Sequence, residues 1–260
     1  MAGRMLPLAL SCAALLAFRA AAQQPAAPGL QRELQQLGEA ATALERALPN
    51  FTCQEKAVSS LLKGKKVSRS TEFEATLRAQ RAADGTLNES FSVSEVNGKP
   101  FPTGHFALPI FVSGGFDQAM RYFAPWNQVC YRYLLLPGRI DFTALADPPK
   151  SASCKEATTH GFALLDADGN VTRVERRVEL EAAQARHEAT YATVDFAAVQ
   201  LNGRTYRLSQ HLYAEVPMNK HPTTFTADYS DCKLFTATVT LHTAPDPAPD
   251  SGSAPETLPH

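Results

Sequence analysis

The fold class predicted by this sequence is mainly antiparallel β with few helices, and three observations predict it. Apolar and polar residues alternate with a period of two over most of the chain after residue 50. Turn signals ("KGKK", "ADG", "NGKP", "PG", "DADGN" and "LNGR") punctuate that alternation, and connections this short join antiparallel neighbours. One amphipathic helical stripe precedes the alternating runs, and one short aromatic helix interrupts them.

Taken in order, residues 1–22 read as a secretory signal. Arg4 precedes an apolar run from Leu6 to Phe18 that is too short to span a bilayer, and Ala20, Ala21 and Ala22 form a small-x-small cleavage site. Cys12 sits inside the apolar run with Ala9 three places before it, so it reads as a small hydrophobe rather than a lipidated cysteine. Residues 23–29 read as a linker. Over 30–48, Leu30, Leu34, Leu37, Ala41, Leu44 and Leu48 recur at spacings of three and four, which is the stripe of a helix laid on a sheet; Pro49 and Asn50 stop it.

Strands are then expected at 51–62, 67–81, 86–96, 129–136, 139–145, 160–166, 171–182, 187–199, 206–215 and 225–242. Between the third and the fourth, 101–113 is an apolar loop marked by Pro102 and Pro109, and 114–126 is a short helix with Phe116, Met120 and either Phe123 or Tyr122 on one face. The tail over 244–260 is rich in Pro, Ser and Asp and is expected to be disordered. With no internal repeat and no second composition regime, 30–243 is expected to be a single domain.

Loss of the signal removes Arg4 and Arg19, leaving 23 basic against 26 acidic groups and a net charge of −3. A balance this near neutrality makes no strong field for nucleic acid or an anionic membrane. "KGKK" is a solvated turn between two strands. The same cleavage leaves Cys53, Cys130, Cys154 and Cys232, an even set in an exported chain, so two disulfides are expected. Four cysteines allow three connectivities. The favoured one joins Cys130 to Cys154, which flank a strand pair, and Cys53 to Cys232, which ties the first strand to the last.

The search for chemistry yields little. "DADGN" places Asp166, Asp168 and Asn170 at the first three ligand positions of a calcium loop, but Val171 stands where that loop needs glycine and Arg177 where it needs glutamate. The stretch therefore reads as a hairpin turn. GxSxG, HExxH, P-loop and GxGxxG patterns do not occur, the histidines are scattered, and no CxxC or Cys/His ligand spacing occurs. Glu175, Glu179 and Glu181 alternate against Val174, Val178 and Leu180 as a solvent face. No cofactor, no metal site and no catalytic residue are expected, and a hydrolase with a triad assembled from distant positions ranks third among the readings.

The strongest binding candidate is aromatic. Phe111, Phe116, Met120, Phe123, Trp126 and Tyr131 fall on the loop, the short helix and the start of the fourth strand, where rings with polar tips suit a pocket mouth. Gly114 and Gly115 give hinge freedom, so this segment is read as a movable cover.

The order of parts, together with the hairpin "GFALLDADGNVTRVE", resembles the bacterial periplasmic lipoprotein-carrier superfamily, the LolA-like fold. Phe162, Leu164, Asp166, Gly169, Val171 and Arg173 occupy places similar to those of the family's hairpin. The resemblance implies a strongly curved half-barrel sheet wrapped on the N-terminal amphipathic helix and the short aromatic helix, with an apolar cavity between them. The leading expectation is an exported, non-enzymatic, monomeric carrier of a lipid or other apolar small molecule, periplasmic or extracellular. The alternative is a ligand-free structural or protein-interaction domain of the cell envelope, with an envelope protein as partner.

Overall fold

The computed structural model describes residues 28–101, 106–113, 115–116, 119–150, 154, 158–180, 188–218 and 221–235. The expected signal, Cys12, residues 23–27 of the linker, Pro102, Gly114 and the tail over 244–260 lie outside the described residues. Pro28 opens α1 (Pro28–Ala47), two places before the expected start, because a proline's fixed φ suits a first helical turn that needs no N–H from it. The stripe then does what its spacing requires: Leu37, Ala41, Leu44 and the following Leu48 are buried.

Eleven strands follow: β1 (Phe51–Lys63), β2 (Lys66–Arg81), β3 (Leu87–Val96), β4 (Lys99–Pro100), β5 (Tyr131–Leu136), β6 (Arg139–Ala144), β7 (Thr159–Leu165), β8 (Val171–Leu180), β9 (Glu188–Leu201), β10 (Arg204–Met218) and β11 (His221–Leu234). They form one open, curved sheet in the order β4-β3-β2-β1-β11-β10-β9-β8-β7-β6-β5, antiparallel throughout. Type I′-compatible turns at Asn97-Gly98 and Asn202-Gly203, all four residues at positive φ, hold two of its hairpins. This is the antiparallel, few-helix half-barrel that was expected.

Several boundaries differ from the periodic reading. The strand expected from 129 begins at Tyr131, because the Cys130 N–H closes a turn on the Asn127 carbonyl, 3.0 Å away. The final strand begins at His221, not 225: Pro222 stands opposite Pro217 at the hairpin end, where the ladder tolerates the missing donors. The single helix expected over 114–126 is instead a 3-10 turn (Arg121–Phe123) followed by a short α2 (Pro125–Gln128). Pro125 divides them: it forces Ala124 into an extended conformation, which no continuous helix contains.

Cys53 is bonded to Cys232 and Cys130 to Cys154, the favoured pairing. The first bond closes a ring across 179 positions of sequence and staples β1 to β11, the adjoining strands near the two ends of the described chain. Two disulfides fit a protein that matures in an oxidising compartment. Among the described residues no helix is long and apolar enough to cross a membrane.

Strand order sets the path of the longest connection. β4 lies at one edge and β5 at the other, so the chain between them must cross all the intervening strands. It does so on the face that α1 also covers, because its aromatic residues join the same buried core as Leu37, Leu44 and Leu48. We call the described part of this crossing the strap.

Candidate functional site: the strapped inner face

The inner row of each central strand explains why a strap is needed. Alternation turns Phe51, Cys53, Glu55, Ala57 and Ser59 of β1 inward, with Phe73, Ala75, Leu77 and Ala79 on β2 and Phe225, Ala227 and Tyr229 on β11. Farther across, Ala214, Ala192 and Ala163 carry the pattern through β10, β9 and β7. An inner face with so many alanines has area but little volume, and the space above it must be filled from elsewhere.

The strap fills it with rings placed stepwise across the sheet. Phe106 packs on Phe73, with centroids 5.7 Å apart; Phe111 meets Phe91 at 4.9 Å and Phe225 at 5.7 Å. Phe116 is set edge-on against Phe51 at 5.3 Å and Tyr229 at 5.0 Å. Tyr122 stacks on Phe142 at 4.8 Å and Phe123 meets the same ring at 5.7 Å. Gly161 is required beneath that cluster, since a Cβ there would lie 2.7 Å from the Phe142 ring and 2.0 Å from the Glu175 carbonyl oxygen.

The six residues expected to bind ligand divide accordingly. Phe116, Met120, Phe123 and Tyr131 are buried in the packed layer between strap and sheet. Phe111 remains 44% exposed at the β2–β3 end, and Trp126 is 54% exposed on α2, where its indole N–H donates to Glu45 of α1 at 3.3 Å. Trp126 therefore stands outside the layer that holds the other rings.

Polar side chains of the sheet anchor the strap backbone. Ser59 donates to the Ile110 carbonyl at 2.6 Å and accepts from its N–H at 2.9 Å; Arg69 donates to the Ala107 carbonyl at 3.0 Å. The Glu89 carboxylate accepts from Ser113 Oγ, from the Gly115 N–H at 3.2 Å and from the Phe116 N–H at 2.9 Å. Gln128 donates to the Leu34 and Phe123 carbonyls at 2.9 and 2.8 Å, joining α2 to α1 and to the strap.

Beneath the strap a cavity of about 160 Å³ persists, walled by Val112, Ala119, Val174, Val194 and Leu212. At its rim Arg176 of β8 donates to the Tyr122 hydroxyl at 2.6 Å. A larger groove of about 740 Å³ runs along the outer side of α1, between Leu34, Gly38, Thr42, Ala47, Pro125 and Gln128, and is open to solvent.

One group on the inner face is chemically out of place. Glu55 is 1% exposed, and among the described residues its carboxylate oxygens make no well-formed hydrogen bond; the Tyr229 hydroxyl lies near enough to favour the carboxylate, and Ser209 Oγ has no partner. Burial pushes the Glu55 carboxyl up to about 7. The Tyr229 hydroxyl, beside it across the β1–β11 pair, partly offsets that rise, and the charge of Glu89 adds to it. Burial likewise drives the Tyr229 and Tyr133 phenols well above the usual tyrosine range.

Glu55, Glu89 and Arg176 were absent from the residues singled out in the sequence. Parity could have found Glu55, since it falls in the inward row between Cys53 and Ala57. The "DADGN" turn is a turn, as expected: Asp166 accepts from the Asp168 and Asn170 N–H groups at 3.0 and 2.9 Å and from Arg207 at 2.5 Å. Among the described residues no group of three or more His, Cys, Asp or Glu is placed to hold a metal ion.

No family model and no curated protein matches the chain. Among solved structures, a LolA superfamily protein from Nitrosomonas europaea is 10% identical over 79% of this chain and 94% of its own, with a TM-score of 0.36. A domain described as an outer-membrane lipoprotein-sorting protein from Vibrio parahaemolyticus is 12% identical over 80% and 94%, with a TM-score of 0.43. Lipovitellin, in a structure concerned with its lipid–protein interactions, is 10% identical over 75% of this chain and 26% of its own, at 0.28. These are resemblances of fold alone.

Proposed function

We propose that this chain is an exported, non-enzymatic, monomeric binding domain for an apolar ligand, a lipid or acyl chain, taken up between strap and sheet in the periplasm or outside the cell. The observation that carries the reading is the mismatch between the two layers. The alanine-rich inner face leaves volume that the strap's aromatic side chains occupy without filling completely, and the remaining cavity of about 160 Å³ is walled mainly by valine, alanine and leucine. A ligand would enter by displacing rings such as Phe116 and Phe123, so the strap would act as the cover. Native mass spectrometry of protein secreted by a bacterial host tests this, with added fatty acid or detergent monomer as probe. Retained apolar mass, or saturable uptake, is the expected result; a bare chain that takes up none of these probes overturns it.

A second reading, a ligand-free interaction domain of the envelope, is favoured by a different observation. Trp126, Val129, Leu134 and Leu136, all on or beside α2 and the edge strand β5, are exposed. An apolar edge is a common docking surface for another protein. Trp126→Ser with Leu134→Ser should abolish partner capture under this reading and leave lipid uptake unchanged under the first.

A further inference from the structure

Glu55, Tyr229, Phe116 and Glu89 form one continuous physical chain. The buried Glu55 carboxyl faces Tyr229 across the strands, near its hydroxyl and with no cation against it; the Tyr229 ring supports Phe116 at 5.0 Å; and the Phe116 N–H is held at 2.9 Å by Glu89. The strap therefore rests, at Phe116, on a ring that neighbours a carboxyl with no cation against it. On the other side of Glu55, β2 presents Ala75, which does not titrate. The groups whose charge reaches Glu55 are Glu89 on β3 and, when ionised, Tyr229 on β11; neither neutralises a carboxylate.

We propose that Glu55 and Glu89 make the strap a proton-operated latch. With Glu55 protonated, Phe116 lies closed on Phe51 and Tyr229 while Glu89 grips Ser113, Gly115 and Phe116. When Glu55 releases its proton to solvent, the new carboxylate is buried, has no cation to neutralise it and is repelled by Glu89, and hydration is its cheapest relief. The sheet backs Glu55 on one side, and the strap at Phe116 covers the other, so lifting the strap is the route to water the latch uses. Opening releases Phe116 from its seat and exposes the cavity beneath.

The sign follows from the carboxyl chemistry. The closed state binds a proton that the open state gives up, so closure is fully favoured below the ordinary glutamate range and weakens as pH rises toward the value near 7 that Glu55 has when buried. The latch thus tightens in acid and loosens at neutral and mildly alkaline pH. It does not depend on what the inner face binds, and so it stands or falls separately from the ligand reading.

Hydrogen exchange on the full chain, read by mass spectrometry on strap peptides spanning 106–123 and corrected for the intrinsic pH dependence of exchange, tests the proposal. Protection of the strap should fall by up to about a hundredfold between pH 5 and pH 8, the scale of a shift of two units. Peptides of β10 and β11 should keep theirs. Glu55→Gln, which is neutral at every pH, should hold the strap closed across the range, and Glu89→Gln should move the transition to lower pH, because the like charge that helps raise the Glu55 carboxyl is gone. Constant strap protection in the unmodified protein overturns the latch without need of a variant, and so does an unchanged pH response in Glu55→Gln.

Discussion

Two segments cover the same face of the sheet by opposite means. Helix α1 satisfies most of its backbone internally; sheet side chains reach its last carbonyls, Arg81 at Glu45 and Tyr206 at Ala47, and otherwise it rests Leu37, Ala41 and Leu44 on the core. Among the described residues between Phe106 and Met120 the strap has almost no ladder of its own; sheet side chains such as Ser59, Arg69 and Glu89 hold its carbonyls and N–H groups. A cover that carries its own hydrogen bonds comes away only with the whole fold, whereas one held by borrowed bonds can leave alone. On that difference the strap, rather than α1, is expected to open first.

The largest test removes what both covers stand on. Replacing Cys53 and Cys232 together by serine opens a ring spanning 179 positions and should cost about 5 kcal/mol in the chain-entropy model, lowering the stability of α1 and strap alike. Denaturant melts with and without reductant measure it. A loss confined to the strap would contradict the comparison.

Next in size are two truncations that separate the covers. Leu44→Ala should cost about 2–5 kcal/mol and Phe116→Ala about 3–5 kcal/mol, since both side chains are buried. Their hydrogen-exchange signatures should differ. Leu44→Ala lowers protection everywhere, while Phe116→Ala lowers strap protection further than that of β10 or β11.

A smaller effect comes from Ser59→Ala, which leaves the Ile110 N–H and carbonyl without their partner at a fully buried position and should cost about 1–3 kcal/mol. Strap peptides around 110 should exchange faster with little change in the global melting midpoint. Equal losses in strap and sheet would show that the two are one cooperative unit.

The smallest expected effect has the opposite pH sign to the latch. The Asn170 backbone N–H, with the Asn170 side chain, the Asp168 N–H and Arg207, holds the Asp166 carboxyl below the usual aspartate range. Its contribution is present above the ordinary value of 3.8 and is lost as pH falls through the depressed one. Asp166 keeps 28% of its side-chain surface exposed, so solvent screens the contribution and it is modest. Asp166→Asn should flatten the acid limb of hairpin stability below pH 4 and leave strap exchange between pH 5 and 8 unaltered.

How far the sequence carried the fold depends on whether a structure is made locally. The α1 stripe, the period-two strands and the Asn-Gly turns use neighbours in the chain, and each was readable from spacing. Boundaries failed where a tertiary contact overrode spacing: strands expected to stop at 215 and resume at 225 run on to a hairpin end where Pro217 and Pro222 face each other. In the candidate site, Phe116, Met120 and Phe123 were legible as one aromatic face. Trp126 looked like their companion, yet Pro125 starts a new helix and turns it toward Glu45.

By itself the sequence determined the alternation, the turns, the even cysteine set and the amphipathic helix, because all of these are properties of adjacent or regularly spaced residues. The tertiary structure alone decided that the chain from 101 to 130 spans the sheet, since only the strand order puts β4 and β5 at opposite edges. It also decided which cysteines meet. Above all it decided the character of Glu55: a glutamate in a strand reads as solvent-facing, and only closure of the strap over β1 and β11 strips it of water and leaves it to hold a proton.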